Sequence, residues 1–261
     1  RYHRWPRPPL SPAPVMTLTF WGAAQTVTGS LHFVELDDGT RLFLDCGLFQ
    51  GRRELAKTLN TEWPCDPSTV DAVLLSHAHI DHAGLLPKLW RDGFRGTVYA
   101  THATRDLCAI MLRDSAYIQE KDAEFFNRKM RRTGQPEVEP LYSMEDADGV
   151  MARFHGVPYE TPFQVPGGVE VVYRDAGHIL GSATMTLDLP DGRRLGFTGD
   201  IGNPGRPILR DPQPLPPVDW LICESTYGGR VHEAVDKAKE RLAEIVTETA
   251  ARGGRVVIPA F

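Results

Sequence analysis

Cysteine is scarce in this chain of 261 residues: there are four, and no two of them form a C-x-x-C pair. This pattern argues against a disulfide framework and is typical of the reduced thiols of an intracellular protein. Apolar runs are short, and none approaches the ~20 residues that a membrane-spanning helix needs. We therefore expect no membrane partner and predict a cytoplasmic location.

The net charge is also small, at −5, so the composition does not indicate a nucleic-acid binder. Bound metal ions would, however, bring positive charge of their own and could hold a phosphodiester on an acidic protein. The remaining composition, 41% hydrophobic and 24% charged, suits one sizeable core with room for a subdomain. Residues 1–15 contain five prolines, three arginines and no acid, which predicts a disordered extension before Met16.

Four metal-ligating side chains, His77, His79, Asp81 and His82, lie within six residues. They follow the apolar run Val73–Leu75, which predicts a buried strand. Because alternate residues of an extended segment point the same way, His77 and His79 can reach one ion, while Asp81 and His82, on the turn that follows, address a second. Imidazoles with one carboxylate suit zinc or a similar ion. The alternative is a chance set of surface and core histidines, which this spacing disfavours.

The pattern H-A-H-I-D-H resembles the zinc signature of the metallo-β-lactamase superfamily, and other segments continue the resemblance in the expected order. Leu42–Gly47 (L-F-L-D-C-G) is similar to the strand that ends in the first conserved acid. Asp175–Ala183 (D-A-G-H-I-L-G-S-A) and Phe197–Gly202 (F-T-G-D-I-G) are similar to the third and fourth motifs. Glu224–Gly229 (E-S-T-Y-G-G) and the closing V-V-I-P-A-F resemble the β-CASP branch, which includes RNase J and the nuclease of the polyadenylation machinery.

The resemblance implies two zinc ions in the full-length protein, with ligands His77, His79 and His178 for the first, Asp81 and His82 for the second, and Asp200 bridging both. Asp45 would orient a ligand histidine from outside the ligand set. Asp81 and Asp200 would also act in catalysis, through a hydroxide shared by the two ions. Glu224 would be the branch's acid that partners a histidine acting on the leaving group.

The fold that the resemblance implies is α/β, an αββα sandwich of two mixed sheets with helices outside. Alternating strands and helices, joined in places by hairpins, independently favour mixed sheets. We expect a metallo-β-lactamase domain over residues 16–252 and the start of a β-CASP domain over residues 253–261, truncated before that domain is complete. The leaving-group histidine and a further histidine ligand of the second ion would then lie beyond Phe261.

Hydrophobic periodicity and turn signals predict the remaining elements. Helices are expected over 52–59, 85–90, 101–129, 143–154 and 231–252. Strands are expected over 17–21, 31–36, 41–44, 97–100, 169–174, 183–189, 194–198, 218–223 and 255–261.

Several reactive side chains lie outside the motifs. We interpret His102 and His155 as structural or exposed, and give His232 the same default although it closely follows E-S-T-Y-G-G. Cys46, beside Asp45, is interpreted as a core thiol rather than a group near the metals.

Three functions compete at this stage. The leading hypothesis is a zinc-dependent hydrolase that cleaves RNA phosphodiester bonds, as an exonuclease or an endonuclease. The second is another hydrolase of the superfamily that acts on a thioester, lactone or lactam. E-S-T-Y-G-G and V-V-I-P-A-F argue against it, because small acyl hydrolases lack them. The third is a catalytically silent subunit, which the retained ligands disfavour. RNA is the expected partner, and a homodimer is compatible with the resemblance.

Overall fold

The computed structural model describes residues 16–231 and 235–259. They form two compact units, the first ending at Glu224 and the second beginning at Ser225. Both sheets belong to the first unit. The predictions for residues 1–15 and for His232 lie outside the described residues, and the predicted domain boundaries stay predictions.

The first sheet has six strands in the order of the chain. They are β1 (Thr17–Phe20), β2 (His32–Glu35), β3 (Arg41–Leu44), β4 (Ala72–Leu74), β5 (Thr97–Thr101) and β6 (Phe154–Val157). The first three strands pair antiparallel through hairpins, whereas β3 to β6 run parallel and are joined by helical crossovers.

The second sheet has five strands, and its spatial order is also the order of the chain. They are β7 (Phe163–Val165), β8 (Val169–Asp175), β9 (Ala183–Asp188), β10 (Arg194–Phe197) and β11 (Trp220–Ile222). The first four strands form an antiparallel meander and β11 pairs parallel with β10. Both sheets are therefore mixed, as predicted.

The core follows from the alternation of side chains along the strands. In β4, Ala72 and Leu74 face a cluster shared with the second sheet, which includes Val171 and Leu187. Val73 points the opposite way, into a cluster shared with the helices. One face of the first sheet thus packs on the second sheet and the other on helices, which confirms the predicted sandwich.

The helices are α1 (Arg53–Thr61), α2 (Ile80–Ala83), α3 (Leu86–Arg91), α4 (His102–Thr133), α5 (Met144–Met151) and α6 (Val235–Ala251). Local chemistry sets their ends. Thr101 caps α4 by accepting a bond from the Thr104 amide, and Gly134 ends it at φ 66°. Ser143 and Asp146 form a capping box at the start of α5. Within the described ranges, no helix has the length and apolarity that crossing a membrane requires.

Three predictions of secondary structure were wrong. Strands β6 and β7 were missed, and His155, expected in a loop, lies exposed in β6. Asp81 and His82 lie in the one-turn helix α2 rather than in a turn. The strand predicted for residues 255–261 is not formed over residues 255–259, because no described strand pairs with that segment.

Truncating Leu74 tests the packing between the sheets. Its side chain is fully buried, so Leu74→Ala should lower the free energy of unfolding by about 2–5 kcal/mol, the range for leucine-to-alanine changes in cores. Urea unfolding followed by circular dichroism measures the loss. Ile110→Ala is the matched control, since this residue of α4 is 69% exposed and should change stability by only about 0.5 kcal/mol. Equal losses in the two variants would contradict the packing.

Candidate metal centre

The candidate ligands gather where strands of both sheets end. His77 and His79 follow β4, His178 follows β8, and Asp200 follows β10. The two sheets are joined at this edge, because the Ala183 amide donates to the Ser76 carbonyl at 2.9 Å. Rigid strands thus fix the positions of ligands carried on loops.

Close backbone contacts hold these loops together. The Ser30 amide donates to the Asp81 carbonyl at 2.8 Å, and the Gly202 amide donates to the Ala176 carbonyl at 2.9 Å. A Cβ atom on Gly47 would lie 1.7 Å from the Asp81 carbonyl oxygen, and one on Gly202 would lie 1.7 Å from the Gly177 carbonyl oxygen. Both glycines are therefore required for the approach of the ligand loops.

Four side chains form a compact ligand group: His77, His79, His178 and Asp200, with ligand atoms all within 4.8 Å of one another. His79 Nδ1 lies 3.0 Å from His77 Nε2 and 3.1 Å from His178 Nε2. Asp200 Oδ2 lies 3.5 Å from His178 Nε2 and 3.8 Å from His77 Nε2. A zinc ion bound at the usual lengths would space tetrahedral nitrogen ligands about 3.3 Å apart, so the group fits such an ion.

Proton counting supports a cation at this position. His79 Nδ1 can carry only one proton, so at most one of its two contacts with the neighbouring imidazoles is a hydrogen bond. A cation bound between the three rings would accept a lone pair from each of these nitrogens and so satisfy both contacts at once. Burial, together with the neighbouring imidazoles, lowers the pKa of His77 and of His79. Both rings are therefore neutral at pH 7, as metal ligands must be.

A second group shares Asp200. His82 Nε2 lies 3.3 Å from Asp200 Oδ1 and 3.8 Å from Asp81 Oδ2. Since Oδ2 of the same aspartate faces the first group, the two oxygens of Asp200 address different groups. This is the arrangement expected of a bridging ligand, and assignment of the second ion remains a prediction.

Asp45 orients His82 through the ring nitrogen Nδ1, which leaves Nε2 to face the second group. Its carboxylate is fully buried and lies 2.7 Å from His82 Nδ1. It also accepts bonds from the Ser76 amide at 2.7 Å and the Ser76 hydroxyl at 2.9 Å. The backbone of Asp45 has φ 60°, an uncommon conformation for a residue other than glycine. These bonds direct His82 Nε2 towards Asp81 and Asp200.

Ser76 fixes the tautomer of His77. Its single hydroxyl proton goes to the Asp45 carboxylate, which can only accept, so its oxygen must accept the proton of His77 Nδ1 at 3.0 Å. The Nε2 lone pair of His77 is then free to bind an ion. Sequence reasoning missed Ser76, although its position between the strand and the first histidine was a usable signal.

A second set of hydroxyl groups, which the sequence did not predict, holds the His178 loop through hydrogen bonds. Ser182 accepts bonds from the amides of His178 and Ile179 at 3.1 and 3.2 Å. The hydroxyls of Thr101 and Thr104 donate to the Gly181 carbonyl at 2.7 and 2.8 Å. The loop is therefore tied to the start of α4.

The charge state of His82 differs from that of the other ligands. Burial opposes its protonation, but the adjacent carboxylates of Asp45 and Asp200 outweigh burial and raise its pKa to about 10. Without metal, His82 is a cation held between two carboxylates. An ion in the second group must therefore displace a proton from Nε2.

Glu224 lies at the same edge but makes a different contact. Its Oε1 accepts a bond from the Ile201 amide at 2.9 Å, and its own amide donates to the Thr198 hydroxyl at 3.1 Å. Glu224 therefore contacts residues on both sides of Asp200, Ile201 through its carboxylate and Thr198 through its amide. Cys46 is fully buried in the core beside the helices, as interpreted from the sequence.

Comparison with known proteins gives a consistent picture. A profile of the metallo-β-lactamase superfamily matches residues 26–230. Ribonuclease TTHA0252 of Thermus thermophilus is 37% identical over 246 residues, covering 94% of this chain and 52% of that protein. Transcription termination factor FttA of Methanocaldococcus jannaschii is 31% identical, covering 94% of this chain and 37% of that protein. An RNase J-like protein of the same organism is 33% identical, covering 95% and 52%. The chain thus spans about half the length of these relatives, or less.

Removing one imidazole tests the first group. The full-length parent should retain close to two zinc equivalents after dialysis, and His79→Ala should lose at least the first, because His79 Nδ1 is the atom that contacts both other imidazoles. Elemental analysis measures the content, and His155→Ala, at an exposed histidine of β6, is the matched control. Unchanged zinc in His79→Ala would refute the ligand assignment.

The proton on His82 makes a separate prediction about pH. Since binding of the second ion releases that proton, its apparent affinity should rise about tenfold per pH unit below pH 10. Protonation of His77 and His79 is already disfavoured, so the first ion should show little pH dependence near neutrality. Competition titrations with a zinc indicator at about pH 6.5 and about pH 8 separate the two. A second affinity that is constant, or falls with pH, would contradict the charge assignment.

Proposed function

Because the chain belongs to the metallo-β-lactamase superfamily and to its β-CASP branch, we propose that it is the metal-centre portion of a zinc-dependent hydrolase that cleaves RNA phosphodiester bonds. The relatives named ribonuclease and RNase J-like support this choice of substrate. The observation that carries it is the placement of Asp200, whose two carboxylate oxygens face two ligand groups at the same edge of the sheets.

Each ligand residue has a distinct part in the proposal. His77, His79 and His178 hold one ion, and Asp81 and His82 hold the other, with Asp200 common to both. When bound, two zinc ions would supply a hydroxide nucleophile at neutral pH and neutralise charge on the reacting phosphate.

Supporting residues keep this geometry in place. Asp45 holds His82 in the tautomer that offers Nε2, and Ser76 does the same for His77. By its bond to the Ile201 amide, Glu224 positions the Asp200 loop. We also propose for Glu224 the role that the resemblance implies, as the acid partner of a histidine at the leaving group.

Asp81 offers the sharpest test of the chemistry. Its carboxylate makes no hydrogen bond within the described part of the chain and is 26% exposed, so Asp81→Ala should fold normally. In the full-length protein, loss of a ligand to the second ion should reduce cleavage of a labelled single-stranded RNA at least about a hundredfold. Asp122→Ala, at an exposed acid of α4, should retain parental activity.

Two results would count against the proposal. An Asp81→Ala variant as active as the parent would refute the role of the second group. Hydrolysis of a thioester, lactone or lactam without any RNA turnover would instead favour the acyl-hydrolase alternative. The cytoplasmic location and the homodimer stay predictions.

A further inference from the structure

A cavity of about 380 Å³ lies behind the loop that carries His178. Its lining includes Thr101, His102, Tyr159, Asp175, Leu180 and Arg210. None of these residues belongs to either ligand group. The volume lies in the range of small-molecule sites, which is roughly 300–1,000 Å³.

The cavity shares a wall with the metal centre. Residues Ile179, Leu180 and Gly181 line it and directly follow His178 in the chain. The hydroxyls of Thr101 and Thr104 hold the Gly181 carbonyl, so this wall is rigid. One wall of the cavity and the candidate ligand His178 therefore belong to the same loop.

One part of the lining is suited to a phosphate. Arg210 is exposed, and its guanidinium makes no hydrogen bond with any residue of the described ranges. His102 and Ala103, also in the lining, are the first two residues of the 32-residue helix α4. The Thr104 amide is capped by the Thr101 hydroxyl, but the amides of His102 and Ala103 have no partner within the helix and favour an anion. A guanidinium adds a charged donor fork that matches phosphate oxygens.

Other parts of the lining are suited to a ribose and a base. Asp175 uses Oδ1 to accept a bond from the Gly177 amide at 2.9 Å, which leaves Oδ2 able to accept from a sugar hydroxyl. The hydroxyl of Tyr159 donates to the Ser182 carbonyl at 2.8 Å, so its ring is held in place. Tyr159 and Leu180 then provide apolar surface against which a base can pack.

The rim of the cavity carries backbone strain. Ile208 has φ 74° and its side chain is 91% exposed. This conformation is unfavourable for a β-branched residue, and solvent exposure of the side chain offers no compensating burial. Strain of this kind is concentrated at ligand-binding segments, which is consistent with a bound molecule covering Ile208.

We propose that this cavity binds one nucleotide of the RNA strand next to the scissile phosphate. The phosphate contacts Arg210 and the start of α4, a ribose hydroxyl contacts Asp175, and the base packs on Tyr159 and Leu180. This inference rests on the proposed RNA-cleaving function, but the binding itself requires no catalysis.

Nucleotide binding to the protein in the presence of a chelator tests the proposal, since phosphate cannot then be held by a metal ion. Adenosine 5′-monophosphate should bind saturably in calorimetric titrations. Arg210→Ala should weaken binding at least about tenfold, the effect of losing a charge-assisted hydrogen bond. Arg206→Ala is the matched control, because Arg206 is an exposed arginine of the same loop and does not line the cavity.

A second ligand tests the sugar contact. The 2′,3′-dideoxy analogue of the nucleotide should bind more weakly than the ribonucleotide to the parent, and Asp175→Asn should reduce that difference. The Asn side chain keeps an acceptor for the Gly177 amide, so the loop should stay folded.

The outcomes separate this inference from the proposed function. Nucleotide binding that depends on Arg210 in a protein without ribonuclease activity would support the cavity and refute the function. Ribonuclease activity without saturable nucleotide binding would refute the cavity alone. Equal affinities of Arg210→Ala and Arg206→Ala would also refute it.

Discussion

The buried carboxylate of Asp45 is the contact on which the rest of the metal centre depends. It accepts hydrogen bonds from Ser76, at the end of β4, and from His82 in α2. Asp45 itself directly follows β3, so its carboxylate joins the end of β3 to the end of β4 and to α2. A buried carboxylate without such partners would be strongly destabilising. The same bonds that satisfy it determine which nitrogen His82 and, through Ser76, His77 present to an ion. The hydrogen bonds that stabilise the fold at this edge are therefore also the ones that orient the candidate ligands.

The second sheet reaches this edge through the backbone. The hydrogen bond from the Ala183 amide to the Ser76 carbonyl links the two sheets at the site. Close glycine contacts then bring the His178 and Asp200 loops together. The candidate ligands His77, His79, His178 and Asp200 lie in loops that follow strand ends and are fixed by hydrogen bonds and close packing. Little rearrangement would therefore be needed to bind an ion, and a preorganised site gains affinity in this way.

The sequence indicated the candidate ligands, which the structure brings together, but did not indicate the residues that support them. H-A-H-I-D-H is dense enough to indicate a site by itself, and the motifs containing His178 and Asp200 followed from the resemblance. Ser76, Ser182, Thr101 and Thr104 could not be found in this way, because a single hydroxyl has no periodicity and its role depends on a distant partner. Strands β6 and β7 were missed because their strand signals are weak: β6 (F-H-G-V) contains a glycine, and β7 (F-Q-V) lies between Pro162 and Pro166.

In the proposed metal centre of the full-length protein, two zinc ions share Asp200 at this edge. X-ray absorption spectroscopy of the zinc-loaded protein tests it directly, because the method reports both the ligand atoms and any neighbouring metal. We expect histidine nitrogen and carboxylate oxygen ligands, no sulfur, and a zinc–zinc distance of roughly 3.5–4 Å. A spectrum with sulfur ligands, or with two zinc equivalents and no zinc–zinc contribution, would contradict it.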